Sequence, residues 1–256
     1  MRPGNKKTLS TNHQQPVVII ACKVLQSALE EMLPERLRKR AQFMDYGLHR
    51  VPARLNQTLQ SAIDAIEIPG RIVLGYGLCG NGLDGITAGR HTLIIPKVDD
   101  CIALLLGSRH SYLREMEKAP GTYYLTKGWL ESGSDPLKEY REYTEQYGAE
   151  EAAWIMDQQY RNYERLVFIA HSQTDLDTYR PQALEVARYC RQWGMRYEEV
   201  LGSDRYIRRL AAISERPENA DDEFIVIPPG STNHQELFWG CSITASEESK
   251  KEMGSC

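Results

Sequence analysis

The chain has 256 residues, a formal net charge of -4 and a hydrophobic fraction of 41%. That length accommodates one large domain or two small ones, and the composition is that of an ordinary globular protein. Because basic residues are not in excess, we expect no nucleic-acid partner. No apolar segment approaches the roughly 18 residues of a membrane span, so we expect no membrane association and a cytoplasmic location.

The first lobe is predicted over residues 17–135, after a polar segment, residues 1–16, that we expect to be flexible. Short β-branched runs alternate there with helical patterns, which is typical of an α/β fold with a mostly parallel sheet. The predicted elements are a strand at Val17–Ala21, a helix at Val24–Leu33, a strand at Gln42–Gly47, a helix at Pro52–Ile66, strands at Arg71–Tyr76 and Thr92–Ile95, a helix at Cys101–Leu106 and a strand at Thr122–Thr126.

A helical connector over residues 136–165, interrupted at Gly148, leads to a second α/β lobe over residues 166–235. The predicted elements of that lobe are a strand from Leu166, a helix at Pro181–Trp193, a strand at Arg196–Leu201, a helix at Tyr206–Ile213 and a strand at Phe224–Ile227. This order resembles that of residues 17–82, so the sequence predicts two similar, mostly parallel-sheet lobes with flanking helices and a cleft between them. The polar tail, residues 236–256, is expected to be flexible.

Three cysteines and one histidine come directly after predicted strands: Cys22, His49, Cys79 and Cys101. The carboxyl ends of parallel strands open onto one crevice, so these side chains are expected to converge there. Thiolates and imidazole bind zinc and iron–sulfur clusters, and the pattern predicts a metal site without deciding between the two. The alternative is that each is structural, as a buried cysteine or a capping histidine. Because Cys22 opens a helix beside Lys23, its thiol is expected to have a lowered pKa.

Glycines surround Cys79 in the sequence GYGLCGNGLDG. Gly77, Gly80 and Gly82 are assigned to cofactor binding, because glycine lets a ligand approach the backbone closely. The stretch GYGLCG also matches the dinucleotide fingerprint, but only about ten residues separate it from the next strand, too few for a crossover helix. A structural tight turn is the other alternative.

Gly230 and Ser231, in the loop PPGSTN, are assigned to the same cofactor or substrate site. Backbone amides and hydroxyls of this kind bind phosphate or another polar ligand. We expect this loop to close the cleft over a centre held by the first lobe.

Asp99, Asp100 and Arg109 are the candidate catalytic residues. Two adjacent carboxylates without a nearby cation raise each other's pKa, which suits proton transfer, and Asp99 can alternatively cap the helix that follows. Arg109 can bind a carboxylate or phosphate in bidentate fashion and is assigned as the substrate anchor.

The combination of IACKVL, HRVP, GYGLCGNGL, IPKVDDCIALLLGSR, GTYYLTKGW and FIVIPPG resembles the prokaryotic domain-of-unknown-function family DUF1638 over roughly residues 17–230. Cys22, His49, Cys79, Asp100 and Cys101 match the family pattern. The resemblance implies a place in one-carbon metabolism, beside corrinoid-dependent methyltransferases, and no settled activity.

The sequence therefore predicts a metal-dependent enzyme of one-carbon metabolism that acts on a small molecule. Its centre would be held by the three cysteines, with the histidine as an additional ligand. A corrinoid protein or a methyltransferase is the candidate partner, and a corrinoid would be supplied through that partner. The alternative is a non-catalytic protein that binds a cofactor, metal or anion for a corrinoid methyltransferase system.

Overall fold

The computed structural model describes residues 16–239, within which eight strands form two sheets flanked by helices. The strands are β1 (Val17–Cys22), β2 (Ala41–Met44), β3 (Arg71–Gly75), β4 (Thr92–Pro96), β5 (Thr122–Thr126), β6 (Arg165–Ala170), β7 (Arg196–Leu201) and β8 (Phe224–Ile227). The α-helices are α1 (Gln26–Met32), α2 (Glu35–Arg38), α3 (Pro52–Asp64), α4 (Cys101–Leu105), α5 (Arg109–Lys118), α6 (Lys127–Ser132), α7 (Pro136–Tyr147), α8 (Ala149–Tyr160), α9 (Gln173–Cys190), α10 (Arg205–Glu215) and α11 (Glu236–Trp239). The predicted α/β class is confirmed.

The first sheet has the order β2-β1-β3-β4-β8, with the first four strands parallel and β8 antiparallel to β4. Helix α1 packs on one face, where Leu29 belongs to the same core cluster as Ile19. Helix α3 packs on the other face, where Leu59 belongs to the cluster of Ile20. The connection from β1 to β2 therefore crosses one face of the sheet, and the connection from β2 to β3 crosses the other face. This change of face creates a crevice at the carboxyl ends of β1 and β3, where open α/β sheets bind their ligands.

The second sheet contains β5, β6 and β7, all parallel. Its central strand β6 is buried along its whole length, as its unbroken apolar run predicts. Helices α4 and α10 connect the two sheets, because one apolar cluster includes Val73 of the first sheet, Val167 of the second, Ile102 of α4 and Leu210 of α10.

Two strands lie in a different sheet from the one that the sequence predicted. Thr122–Thr126, assigned to the first lobe, pairs with β6 in the second sheet. Phe224–Ile227, assigned to the second lobe, pairs with β4 in the first sheet. The apolar pattern of a short strand identifies the strand but not its neighbour, and the predicted similarity of the two lobes therefore does not extend to β8.

Helix α5 was not predicted, because no element was assigned between the helix at Cys101–Leu106 and the strand at Thr122–Thr126. Gly107, with φ of 83°, follows α4, and the Ser108 side chain accepts a hydrogen bond from the Ser111 backbone N–H to begin α5. No residue of α5 is fully buried, and Tyr112 and Met116 are only partly buried against the first core cluster, so the apolar pattern of this segment is weak.

The start of the flexible tail was predicted too early in the sequence. Residues 236–239 form α11, whose Phe238 side chain is 1% exposed and packs in the cluster that contains Ile225. The remainder of that tail, and residues 1–15 of the predicted N-terminal segment, lie outside the described residues. Between residues 16 and 239, no helix is both long enough and apolar enough to cross a membrane.

Candidate functional site

The carboxyl ends of β1, β3 and β4 surround a cavity of about 170 Å³, which we call the cysteine cavity. Cys22 is the last residue of β1, Tyr76 follows β3, and Cys101 begins the helix after β4. The cavity thus lies at the crevice that the strand order creates. Its lining residues are Cys22, Asp45, Tyr46, His49, Tyr76, Cys79, Gly80, Asp100, Cys101, Ile102 and Trp129.

Cys79 is held in the cavity wall by an unusual backbone conformation. Cys79, Gly80 and Asn81 have consecutive positive φ angles of 49°, 62° and 68°. Non-glycine residues rarely adopt this region, and such strain concentrates at functional sites. The Cys79 N–H donates to the Asp99 carbonyl oxygen at 2.8 Å, which fixes the loop after β3 to the segment after β4.

Gly77 allows the same two segments to pack against each other. A Cβ atom at position 77 would lie 2.7 Å from the Asp100 backbone nitrogen and 2.8 Å from the Val98 carbonyl oxygen. Gly82 is also a packing residue, since its Cβ would lie 2.7 Å from the Leu55 side chain. Of the three glycines assigned to cofactor binding in this loop, Gly80 alone lines the cavity.

The three thiols of the cavity are free cysteines whose protonated form is favoured. Burial raises the pKa of Cys22 to about 11 and also raises the pKa values of Cys79 and Cys101. A thiolate at Cys22 would also raise the pKa values of Cys79 and Cys101, because like charges disfavour a second ionisation. The predicted low pKa of Cys22 is therefore wrong. The helix after it is a single three-residue 3-10 turn, and the Lys23 ammonium lies over the Tyr46 ring, 5.8 Å from its centre.

His49 presents one ring nitrogen to its surroundings as an acceptor. Its Nδ1 lies 2.7 Å from the Tyr46 carbonyl oxygen, which can only accept, so Nδ1 carries the proton. Burial lowers the pKa of His49, which favours the neutral ring. A neutral imidazole fixed in this way has a lone pair on Nε2, the arrangement found in metal-ligating histidines. The ring stacks on Trp129 at 5.5 Å between centroids.

The two adjacent aspartates have different partners. Asp100 caps α4 through the Ile102 N–H at 2.8 Å and accepts a second hydrogen bond from the Tyr112 hydroxyl at 3.1 Å. Burial raises the pKa of Asp100, as a proton carrier requires. Asp99, by contrast, pairs with Arg109 at 3.0 Å. The expectation that no cation lies near these carboxylates is therefore wrong for Asp99, and Asp100 rather than Asp99 is the cap. Arg109 is occupied by that carboxylate and by the ring of Trp239.

The donor set suits a metal, although its present arrangement is open. Three thiols, an imidazole and a carboxylate match the ligands of zinc and iron–sulfur centres. Among residues 16–239, no three His, Cys, Asp or Glu side chains stand close enough together to hold an ion. Metal binding deprotonates thiols, so occupation would require them to lose protons and turn toward a common point.

A larger opening of about 550 Å³, which we call the aromatic cleft, adjoins the cysteine cavity. The two share His49, Asp100, Ile102 and Trp129 as lining residues. Further into the cleft lie tyrosines of β5, α7, α8 and the segment after α8: Tyr123, Tyr124, Tyr143, Tyr160 and Tyr163. The stacked pair of His49 and Trp129 forms part of the wall between the two spaces.

The loop that contains Gly230 and Ser231 lies at the opposite edge of the sheet. Because β8 is antiparallel to β4, its last residue Ile227 pairs with Leu93, near the start of β4. The Gly230 N–H donates to the Gly89 carbonyl oxygen at 2.8 Å, and the Ser231 carbonyl oxygen accepts from the Ala88 N–H at 2.9 Å. Neither residue lines the cysteine cavity, so the structure does not support their assignment to its ligand.

Sequence reasoning missed five lining residues: Asp45, Tyr46, Tyr76, Ile102 and Trp129. Trp129 follows β5, so the expectation that functional side chains follow strands could have included it, whereas Tyr46 was placed inside the predicted strand Gln42–Gly47. Tyr76 was taken as the end of a strand. Its burial beside the thiols depends on strand order, which the local sequence does not encode.

Comparison with known proteins gave one match. A family model described as a protein of unknown function (DUF1638) matches residues 43–210. The matched range contains His49, Cys79, Asp100 and Cys101, whereas Cys22 precedes it. No curated protein and no solved structure matched the chain.

Proposed function

The chain belongs to the DUF1638 family, and we propose that it is a metal-dependent enzyme whose centre is bound by Cys22, Cys79 and Cys101. The observation that carries this proposal is the placement of three thiols, from three separate strand ends, around one small cavity. A buried cysteine without partner chemistry packs as a small hydrophobic residue. Here a loop with positive φ angles places Cys79 in the wall of the cavity that Cys22 and Cys101 also line.

Zinc and an iron–sulfur cluster both suit this donor set. With three protein ligands, either centre keeps one open coordination position for a substrate. His49 is the candidate for a fourth ligand, because its Nε2 is available and its Nδ1 is fixed by the Tyr46 carbonyl. A metal at this position would act as a Lewis acid and keep a bound sulfur deprotonated.

The residues of the chain would supply the remaining functions. Asp100 borders both spaces and its raised pKa suits it to hold or release a proton beside the centre. The aromatic cleft would admit a small molecule, with His49 and Trp129 at the entrance to the cysteine cavity. Arg109, which was assigned as the substrate anchor, would instead orient Asp99.

Methyl transfer in one-carbon metabolism is the reaction that we propose for such a centre, with a corrinoid protein or methyltransferase as partner. This part rests on the context that the family resemblance of the sequence implies. The protein would work in the cytoplasm, where free thiols such as those of Cys22, Cys79 and Cys101 stay reduced.

Metal quantification after anaerobic purification tests the proposal. Wild type should contain stoichiometric zinc without colour, or iron and sulfide with absorption near about 400 nm. Cys22→Ala, Cys79→Ala and Cys101→Ala should each lose most of the metal while circular dichroism shows an intact fold. Cys190→Ala is the matched control, because Cys190 is also buried but lies in the core of the second sheet.

Two results would contradict the proposal. Metal retained in Cys79→Ala would remove that residue from the ligand set. A folded wild-type protein that takes up neither zinc nor a reconstituted cluster would instead favour the non-catalytic binding function.

A further inference from the structure

Tyr76 carries a buried hydroxyl group that has no partner. The residue is 2% exposed, and within residues 16–239 its hydroxyl oxygen makes no hydrogen bond. Leaving a buried polar group unpaired costs free energy that a phenylalanine would avoid. Such a group beside a cavity calls for a partner from outside the chain, such as a water, an ion or a ligand.

Tyr76 borders the cysteine cavity, and it also belongs to the apolar cluster of Ile20. Tyr76 is one of the lining residues, together with the three cysteines. A phenol keeps its proton near neutral pH, so this group can act as a hydrogen-bond donor.

The cavity itself limits what can accept this hydrogen bond. Its volume of about 170 Å³ leaves room for an ion and a few further atoms. No lysine or arginine lines it, and the Tyr76 hydroxyl is a neutral side-chain donor in the lining that has no partner within residues 16–239. A small ligand with an oxygen or sulfur acceptor atom fits these conditions.

We propose that the Tyr76 hydroxyl donates a hydrogen bond to a small thiolate or oxyanion ligand bound at the open position of the cysteine centre. This inference rests on the proposed function, since the ligand is held by the metal as well as by the phenol. Tyr76 is then a specificity-determining residue: it favours ligands with an acceptor atom next to the metal and disfavours apolar ones.

Tyr76→Phe separates this role from a structural one. If the hydroxyl serves only a ligand, its removal should raise the melting temperature of the metal-free protein by roughly 2–4 °C. The same variant should bind Co²⁺ as wild type does, because no metal ligand is lost. Its affinity for 2-mercaptoethanol or azide, followed by the visible spectrum of the Co²⁺-loaded protein, should fall about tenfold.

Tyr206→Phe is the control, because the buried Tyr206 hydroxyl already donates to the Glu223 carbonyl oxygen at 2.6 Å. That variant should melt at a lower temperature and bind the probes as wild type does. A lower melting temperature for metal-free Tyr76→Phe, or probe affinities within about twofold of wild type, would overturn the inference and leave the metal site standing. Absence of Co²⁺ binding by wild type would overturn the proposed function and this inference together.

Discussion

Replacement of Gly77 by alanine tests whether the close approach of two loops builds the cysteine cavity. A Cβ at this position would lie 2.7 Å from the Asp100 backbone nitrogen and 2.8 Å from both the Asp100 Cα and the Val98 carbonyl oxygen. Ordinary contacts begin near 3.4 Å, so the two backbones would have to separate by about 0.7 Å. All three obstacles are backbone atoms, which cannot rotate away as a side chain can.

The expected cost follows from that separation. Overpacking of this kind costs about 1–3 kcal/mol, and about 2 kcal/mol would lower the melting temperature of a chain of this size by about 4–8 °C. The separation would also lengthen the hydrogen bond from the Cys79 N–H to the Asp99 carbonyl. Cys79 and Cys101 lie on the two separated segments, so metal content should fall by at least half although every ligand is still present.

Thermal unfolding by circular dichroism and anaerobic metal quantification measure the two effects. Gly121→Ala is a matched control, because its Cβ would meet nothing closer than the Asn162 carbonyl oxygen at 3.3 Å, away from the cavity. It should melt within about 2 °C of wild type, since neighbouring atoms can yield by a few tenths of an ångström. If Gly77→Ala melted with wild type and bound the same amount of metal, the packing of these loops would not be what assembles the site.

Two further predictions concern parts of the fold outside the cavity. Burial raises the pKa of Cys190 from 9.0 to about 12, so its neutral thiol stabilises the folded state fully below pH 9, and this contribution is lost as pH rises toward 12. Above pH 9, the free energy of unfolding measured in urea should fall faster with pH for wild type than for Cys190→Ala, by up to about 1.4 kcal/mol per pH unit. The same pH dependence in both proteins would contradict this prediction. Phe238→Ala should lower the free energy of unfolding by about 3 kcal/mol in urea, because the side chain is 1% exposed. Trp239→Ala, at a residue 56% exposed, should cost less than about 1 kcal/mol, and equal losses would show that α11 does not anchor the chain.

Much of the fold could be predicted from apolar patterns alone. The strands Thr122–Thr126 and Phe224–Ile227 have the predicted bounds, because unbroken β-branched and aromatic runs of this length are typical of buried strands. Helix α5 could not be predicted from burial, because none of its residues is fully buried. The sheets to which β5 and β8 separately belong could not be predicted either, because pairing depends on contacts far apart in the sequence.

The candidate site was also only partly predictable from the sequence. The rule that carboxyl ends of parallel strands share a crevice was enough to group Cys22, His49, Cys79 and Cys101, and the structure places all four around one cavity. The same rule failed for Gly230, since it assumes a parallel strand and β8 is antiparallel. The pKa of Cys22 was also mispredicted, because sequence shows the adjacent Lys23 but not the burial of the thiol.

The return of the chain to β4 makes the first sheet discontinuous in sequence. Residues 97–223 lie between the two paired strands, so during synthesis β4 has an open edge until residues 224–227 have left the ribosome. An unpaired apolar edge is a template for aggregation. Truncation before residue 224 would therefore leave the edge of β4 unpaired and make the isolated N-terminal part of the protein prone to aggregation. Fragments chosen for expression should keep β4 together with β8.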